Sequence, residues 1–234
     1  TPEHYELLLR EIAHSHITDI NKIFIWSMMP NRKTDINNRN GFSIDMIGAS
    51  WTYPEASYAE REKIVKAHKD YTLGLLYFCG HDPRMPEEIR KEMLRWGYPK
   101  DEYAKWGHFT PQLYVREARR MVGRLVMTQQ YCQGKAIAHD SIGWAAYTMD
   151  SHNCGRYVIN GMVKNEGNVE IGISKPYNIS YRAITPMENE CINLLVPVCL
   201  SVSHIAYGSI RMEPVFMVLG QTSAIAATLA IDKY

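Results

Sequence analysis

The chain has 234 residues, enough to bury a full core, and its composition, 46% hydrophobic and 22% charged without a low-complexity tract, is that of an ordinary globular protein. With 26 basic and 25 acidic side chains mixed along its length, it offers no broad field to draw in nucleic acid or an anionic lipid surface. Its five cysteines, an odd number without a C-x-x-C pair, argue against a disulfide framework and a thiolate zinc site, and they read as buried free thiols.

Thr1 and Pro2 open an amphipathic helix that carries Tyr5, Leu8, Leu9 and Ile12 at helical spacing. Residues 22–29 read as a strand ended by Pro30. Residues 31–51, crowded with Asn, Asp, Arg and Gly, read as loop. Ser57 and Glu60 form a capping box for a helix whose apolar stripe runs Ile64, His68, Tyr71, Leu75 and Phe78 and stops at Gly80. A shorter helix follows from Pro86 through Ile89, Met93 and Trp96 to Gly97.

From Thr110 to Ile184 the pattern changes to short β-type runs, at 112–115, 157–160, 169–173 and 179–184, which predict an antiparallel or mixed sheet. Residues 194–200 are nearly all apolar and read as a strand, with Pro197 implying an edge or a bulge. A glycine-containing turn then leads to an apolar helix from about Arg211 to Ile231. Its polar and small residues, Pro214, Gly220, Gln221, Thr222, Ser223 and Thr228, favour a buried helix over a membrane span. The expected fold is α+β: an N-terminal helix and strand (1–30), a substrate-side α+β region (31–190), and a terminal strand-helix unit (191–234) of the kind found in a Rossmann-like FAD-binding domain.

No two of the 15 glycines are separated by a single residue, so G-x-G-x-x-G is impossible, and H-E-x-x-H, G-x-S-x-G, S-x-x-K and a P-loop are also absent. Longer runs carry more. His108-Phe-Thr-Pro-Gln-Leu-Tyr-Val-Arg-Glu-Ala-Arg-Arg-Met-Val-Gly123, Ser203-His-Ile-Ala-Tyr-Gly-Ser-Ile-Arg-Met-Glu-Pro214 and Val218-Leu-Gly-Gln221 stand beside Asn37-Asn38 with Phe42-Ser43-Ile44-Asp45, Tyr53-Pro54-Glu55-Ala56, Asp82-Pro83-Arg84 and Pro176-Tyr-Asn-Ile-Ser-Tyr-Arg182. Together, over roughly residues 31–231, they resemble a family of bacterial FAD-dependent oxidoreductases. The chain departs from the pattern at Gly220-Gln-Thr-Ser-Ala224, where a second glycine is expected, and at Val198-Cys199, where Gly-Arg is expected.

The resemblance implies a two-part enzyme, with this chain as the substrate-side portion and the glycine-rich pyrophosphate-binding segment elsewhere, so that the isolated chain is expected to be inactive. It implies FAD in the intact protein, contacted by Gly208, Ser209, Ile210, Arg211 and Met212. Independently, a helix starting near Arg211 would aim unpaired N–H groups at a reduced flavin's anionic edge, although Arg211 pairing with a carboxylate reads equally as structure. His108 and His204 are the acid/base candidates, since imidazole titrates near neutral pH. Arg116 joins them as a group that orients the substrate. Arg116, Arg119 and Arg120 fall together on a helix, whereas a strand separates Arg119, and they read either as a clamp for an anion or as a solvated face.

Tyr181 and Arg182 are candidates for facing the substrate from a strand end. Asn37 and Asn38 with Asp45 read either as ligands to a polyhydroxylated substrate or as Asx turns. The expected substrate is small or carbohydrate-like, and no metal, nucleic-acid or membrane partner is expected. A homo-oligomer or the missing N-terminal portion is the expected protein partner. Two other readings stay open: a polysaccharide lyase acting on acidic sugars, and a non-catalytic carbohydrate-binding or assembly module. The compartment stays open as well.

Overall fold

The computed structural model describes residues 1–115 and 119–233. It has the expected α+β composition, and it divides into two compact units: Thr1–Val115 with Asn153–Glu166, and Arg116–His152 with Gly167–Tyr234.

In the first unit a single 3-10 turn, Pro2–Tyr5, buries Tyr5 and leads into α1 (Glu6–Ser15), which buries Leu8 and Ile12 as its periodicity requires. The next strand, β1 (Phe24–Met29), does end at Pro30, but the chain then turns back into β2 (Lys33–Asn38), where the sequence reads as loop. The pair is antiparallel from Phe24↔Asn38 to Met29↔Lys33, and Asn31 (φ 62°) and Arg32 (φ 59°) supply the left-handed reversal. β2 carries one apolar residue, Ile36, and so has no hydrophobic period to betray it.

α2 (Tyr58–His81) starts where the capping box places it, with the Ser57 hydroxyl accepting from the Glu60 N–H at 3.3 Å. Its buried Leu75, Phe78 and Cys79 meet α1, β1 and α3 (Glu87–Met93) in one core. A second hairpin, β5 (Gly155–Ile159) with β6 (Met162–Glu166), adds Val163 to that core. Its tip is Asn160-Gly161, both at positive φ, the geometry that suits a two-residue antiparallel turn.

The second unit holds α4 (Gln129–Cys132) and two antiparallel ladders, β3 (Ser141–Ala145) with β8 (Tyr177–Ser180) and β4 (Met149–Ser151) with β7 (Val169–Ile171). The β-rich expectation therefore resolves into separate two-stranded pairs. Residues 112–115 form no strand. Nor do residues 194–200, despite their apolar character, because their backbone groups bond to loops instead of a ladder. Val196 donates to the Ile184 carbonyl (2.8 Å), and Met121 donates to that of Cys199 (2.9 Å).

The supposed turn after this run contains a helix, α5 (His204–Ile210), with the Ser203 hydroxyl accepting from the Ala206 N–H. The last helix, α6 (Glu213–Lys233), corrects the expectation of a buried helix. Only Val215 and Leu219 are buried, while Met217 and Ile231 are 73% and 76% exposed. Among the described residues it is the one helix long and apolar enough to cross a membrane by length and composition. The cysteines are free thiols. Cys79 and Cys132 are buried as expected, whereas Cys154 and Cys199 are exposed.

Candidate functional site

The family-motif residues His108 and Arg211 each belong to a distinct constellation, one in each unit. In the first, a cavity of about 1120 Å³ is walled by the β1–β2 turn, the end of α3 and the segment that ends in His108. Left-handed backbone is costly for any residue but glycine. Of the six non-glycine residues at positive φ among the described residues, four line this cavity: Asn31, Arg32, Tyr103 and His108.

The half-buried His108 has its Nδ1 3.0 Å from the Glu102 carbonyl oxygen. A carbonyl only accepts, so in the neutral ring Nδ1 carries the proton and Nε2 keeps its lone pair. Lys33 bridges Asp101 (3.0 Å) and Glu102. Its ammonium pKa is raised by Glu102 first and Asp101 second.

The substrate-binding candidates of this unit are not gathered there. Asn37 and Asn38 lie at the end of β2 and are not part of the cavity wall. The Asn37 side-chain oxygen accepts from the Asn38 N–H at 2.8 Å, a local turn contact. Asp45 is half-buried, and its backbone oxygen accepts from Arg156 at 3.1 Å.

In the second unit the segment from His204 to Met212 is folded tightly onto β4. A Cβ on Gly208 would stand 2.6 Å from the Asp150 oxygen, so only glycine lets α5 approach this closely. Ser209, fully buried, donates to the Tyr147 carbonyl and accepts from the Tyr177 hydroxyl at 2.8 Å. Burial foremost holds the Tyr177 hydroxyl far above its ordinary pKa, so it stays a neutral donor.

Ile210 is also fully buried. Arg211 ends α5, and its Nη2 donates to the Asp150 backbone oxygen (3.3 Å) and carboxylate (3.2 Å). The bond to a carboxylate that the sequence leaves open is therefore made, and its partner is Asp150, 61 positions away. Both bonds use Nη2, so the guanidinium has further N–H groups at Nε and Nη1. Met212 is half-buried and accepts from the Val215 N–H (2.9 Å) as α6 begins at Glu213.

His204 is exposed at the start of α5. Arg120 donates to the Val202 carbonyl at 3.0 Å and lies 5.3 Å from the Tyr207 ring centre, whereas Arg119 is exposed. Arg116 lies outside the described residues.

Arg182 is committed to Asp140. Its Nε and backbone N–H each reach Oδ2 at 3.1 Å, and the Ser180 hydroxyl adds a bond of 2.7 Å. Burial alone would raise the Asp140 pKa. The Arg182 guanidinium and the Ser180 hydroxyl more than offset it and hold the carboxyl well below its usual range. Tyr181 lines a separate cavity of about 520 Å³ against Arg124, Cys191 and the end of α6.

Asp140, Asp150 and Tyr147 have no local sequence signal, because their partners are distant along the chain. A family model described as FAD dependent oxidoreductase matches residues 1–234. No curated protein and no solved structure matches the chain.

Proposed function

Because the chain belongs to the FAD-dependent oxidoreductase family, we propose that the intact protein oxidises a small or carbohydrate-like substrate by hydride transfer to FAD, with the α5–α6 turn placed at the flavin ring. The observation that carries this reading is Arg211. It is anchored by Asp150 through Nη2 alone, and its remaining N–H groups suit the anionic edge of a reduced flavin. Met212, half-buried, would lie beside the ring, whereas Ser209 and Ile210, fully buried, would support the turn from beneath, and the Gly208 contact with Asp150 fixes that turn.

FAD, when bound, supplies a two-electron acceptor. The pyrophosphate finds no match here, since no glycine pair with the fingerprint spacing exists in the chain. We therefore place that cradle outside these 234 residues and expect the isolated chain to be inactive. The exposed apolar face of α6 is then a surface for the FAD-binding portion or for a second copy of the chain.

His108 and His204 are the acid/base candidates, one in each unit. His108 is the better prepared, because the Glu102 carbonyl fixes its tautomer and leaves Nε2 to take a proton. Arg116, with Arg119, would orient the substrate. Asn37, Asn38 and Asp45 in the first unit, and Tyr181 in the second, are substrate-contact candidates each within its own unit, and Arg182 would act by holding Asp140.

The test is the native protein that contains this sequence, purified intact. It should be yellow and bleach on anaerobic addition of a reductant, and Arg211→Gln should lower the potential of the flavin couple by destabilising the anionic reduced ring. A colourless protein that refuses added FAD overturns the reading.

A further inference from the structure

A second large cavity in the first unit, of about 1100 Å³, lies apart from the His108 cavity and has different chemistry. Its walls include Tyr5, Phe42, Tyr71, Tyr77 and Phe78, and it holds one guanidinium, that of Arg156. Four of these rings pack together, with Tyr5 centred 5.2 Å from Phe78 and Phe42 centred 6.0 Å from Tyr71. Tyr77 is 65% exposed and stacks flat on His81 at 3.9 Å. The wall is thus rich in aromatic side chains, of which Tyr71 and Tyr77 are the accessible ones, and these suit a planar apolar ring.

Arg156 brings a guanidinium into a wall that also holds Asp70 and Asp82. Its Nε donates to the Asn165 side-chain oxygen (3.3 Å), its Nη2 to the Asp45 backbone oxygen (3.1 Å), and its guanidinium sits 5.0 Å from the Phe42 ring centre. These are neutral partners. Among the described residues no carboxylate pairs with it. The cavity's own acids are engaged elsewhere, Asp70 with Lys66 and Asp82 with Arg84 at 2.9 Å. A half-buried cation that faces only neutral acceptors and rings lacks a counter-ion, and leaving it so is unfavourable.

We infer that this cavity is a binding site for a small aromatic carboxylate, whose ring lies against Tyr71 and Tyr77 and whose carboxylate meets the Nη edge of Arg156. This site does not depend on the flavin assignment. The experiment is calorimetric titration of the 234-residue chain with naphthoate and with its neutral isostere, naphthamide.

Naphthoate should bind at least about tenfold tighter, the size of one charge-assisted contact. Arg156→Gln should bring naphthoate to the affinity of naphthamide, and Arg156→Lys, which keeps the cation, should retain part of the preference. Equal binding of the two probes by the unsubstituted chain, no binding of either, or a preference that survives Arg156→Gln overturns the inference. The comparison of probes on the unsubstituted chain decides the matter even if a variant fails to fold.

Discussion

The two units reach their cores by different routes. In the first, α1, α2 and α3 satisfy their own backbone and need only turn apolar faces together. Its buried polar side chains are Ser43 and Ser50. In the second, the backbone between β8 and α5 is irregular and must find partners one group at a time. Buried hydroxyls do much of this, at Ser180, Thr185, Ser201 and Ser209. Ser201, for example, accepts from the Gly123 N–H at 2.9 Å, and a Cβ on Gly123 would stand 2.4 Å from the Thr185 oxygen. Helices carry the first unit, and specific polar contacts carry much of the second. α6 sharpens the contrast, because most of its apolar surface contributes to neither core.

The largest expected effect tests where the burial lies. Leu75 in α2 and Leu219 in α6 are both fully buried, so truncating either to Ala should cost about 2–5 kcal/mol in urea unfolding. Leu229, nearly three turns further along α6 and 55% exposed, should change stability by no more than about 0.5 kcal/mol when replaced by Ala. If Leu229→Ala costs as much as Leu219→Ala in this chain, α6 is covered in solution and the contrast fails.

Two glycines of the second unit next separate its packed α5 from its uncovered α6. Gly208→Ala forces a methyl group to within 2.6 Å of the Asp150 carbonyl oxygen, a backbone atom with little room to yield, and should cost about 1–3 kcal/mol. Gly220, mid-way along the uncovered α6, has nothing within 4 Å of an added Cβ, so Gly220→Ala should stabilise by up to about 1 kcal/mol through helix propensity. Opposite signs in thermal melting would support the close approach of α5 to β4. Equal signs would remove it.

The contrast also explains what the sequence makes legible. α1, α2 and α3 announce themselves by period and caps, because what builds them is local: Ser57 lies three residues from Glu60, and Tyr71, Leu75 and Phe78 share one face. The α+β class follows from the same signals. β2 is hidden because Lys33-Thr-Asp-Ile-Asn-Asn38 is polar and its pairing with β1 alone makes it a strand. α5 is hidden because seven residues containing Gly208 give no usable period, yet Ser203 caps it.

Residues 194–200 mislead in the other direction, since an apolar run has the composition of a strand whether or not a ladder accepts it. For the candidate site, the family motifs point to Arg211 and His108. The groups that give these two their geometry, Asp150 and the Glu102 carbonyl, come to them only through the fold.

The smallest expected effect concerns the polar knot around Asp140. Asp140→Asn removes the charge that Arg182 and the Ser180 hydroxyl hold, and with both side chains partly in water the loss near neutral pH should be about 1 kcal/mol. The folded carboxyl is depressed below its unfolded value, so its contribution is present above the unfolded pKa of about 4 and fades as the pH falls towards the folded one. Unfolding free energies of the two proteins should therefore differ at neutral pH and converge below about pH 4. A gap that stays constant through acid would mean that the variant acts by disturbing packing, and the second unit would then rest on shape more than on charge. Convergence, together with the larger costs at Leu75 and Gly208, would rank its polar knot below the apolar cores of both units and still make it the part of the fold that responds to acid.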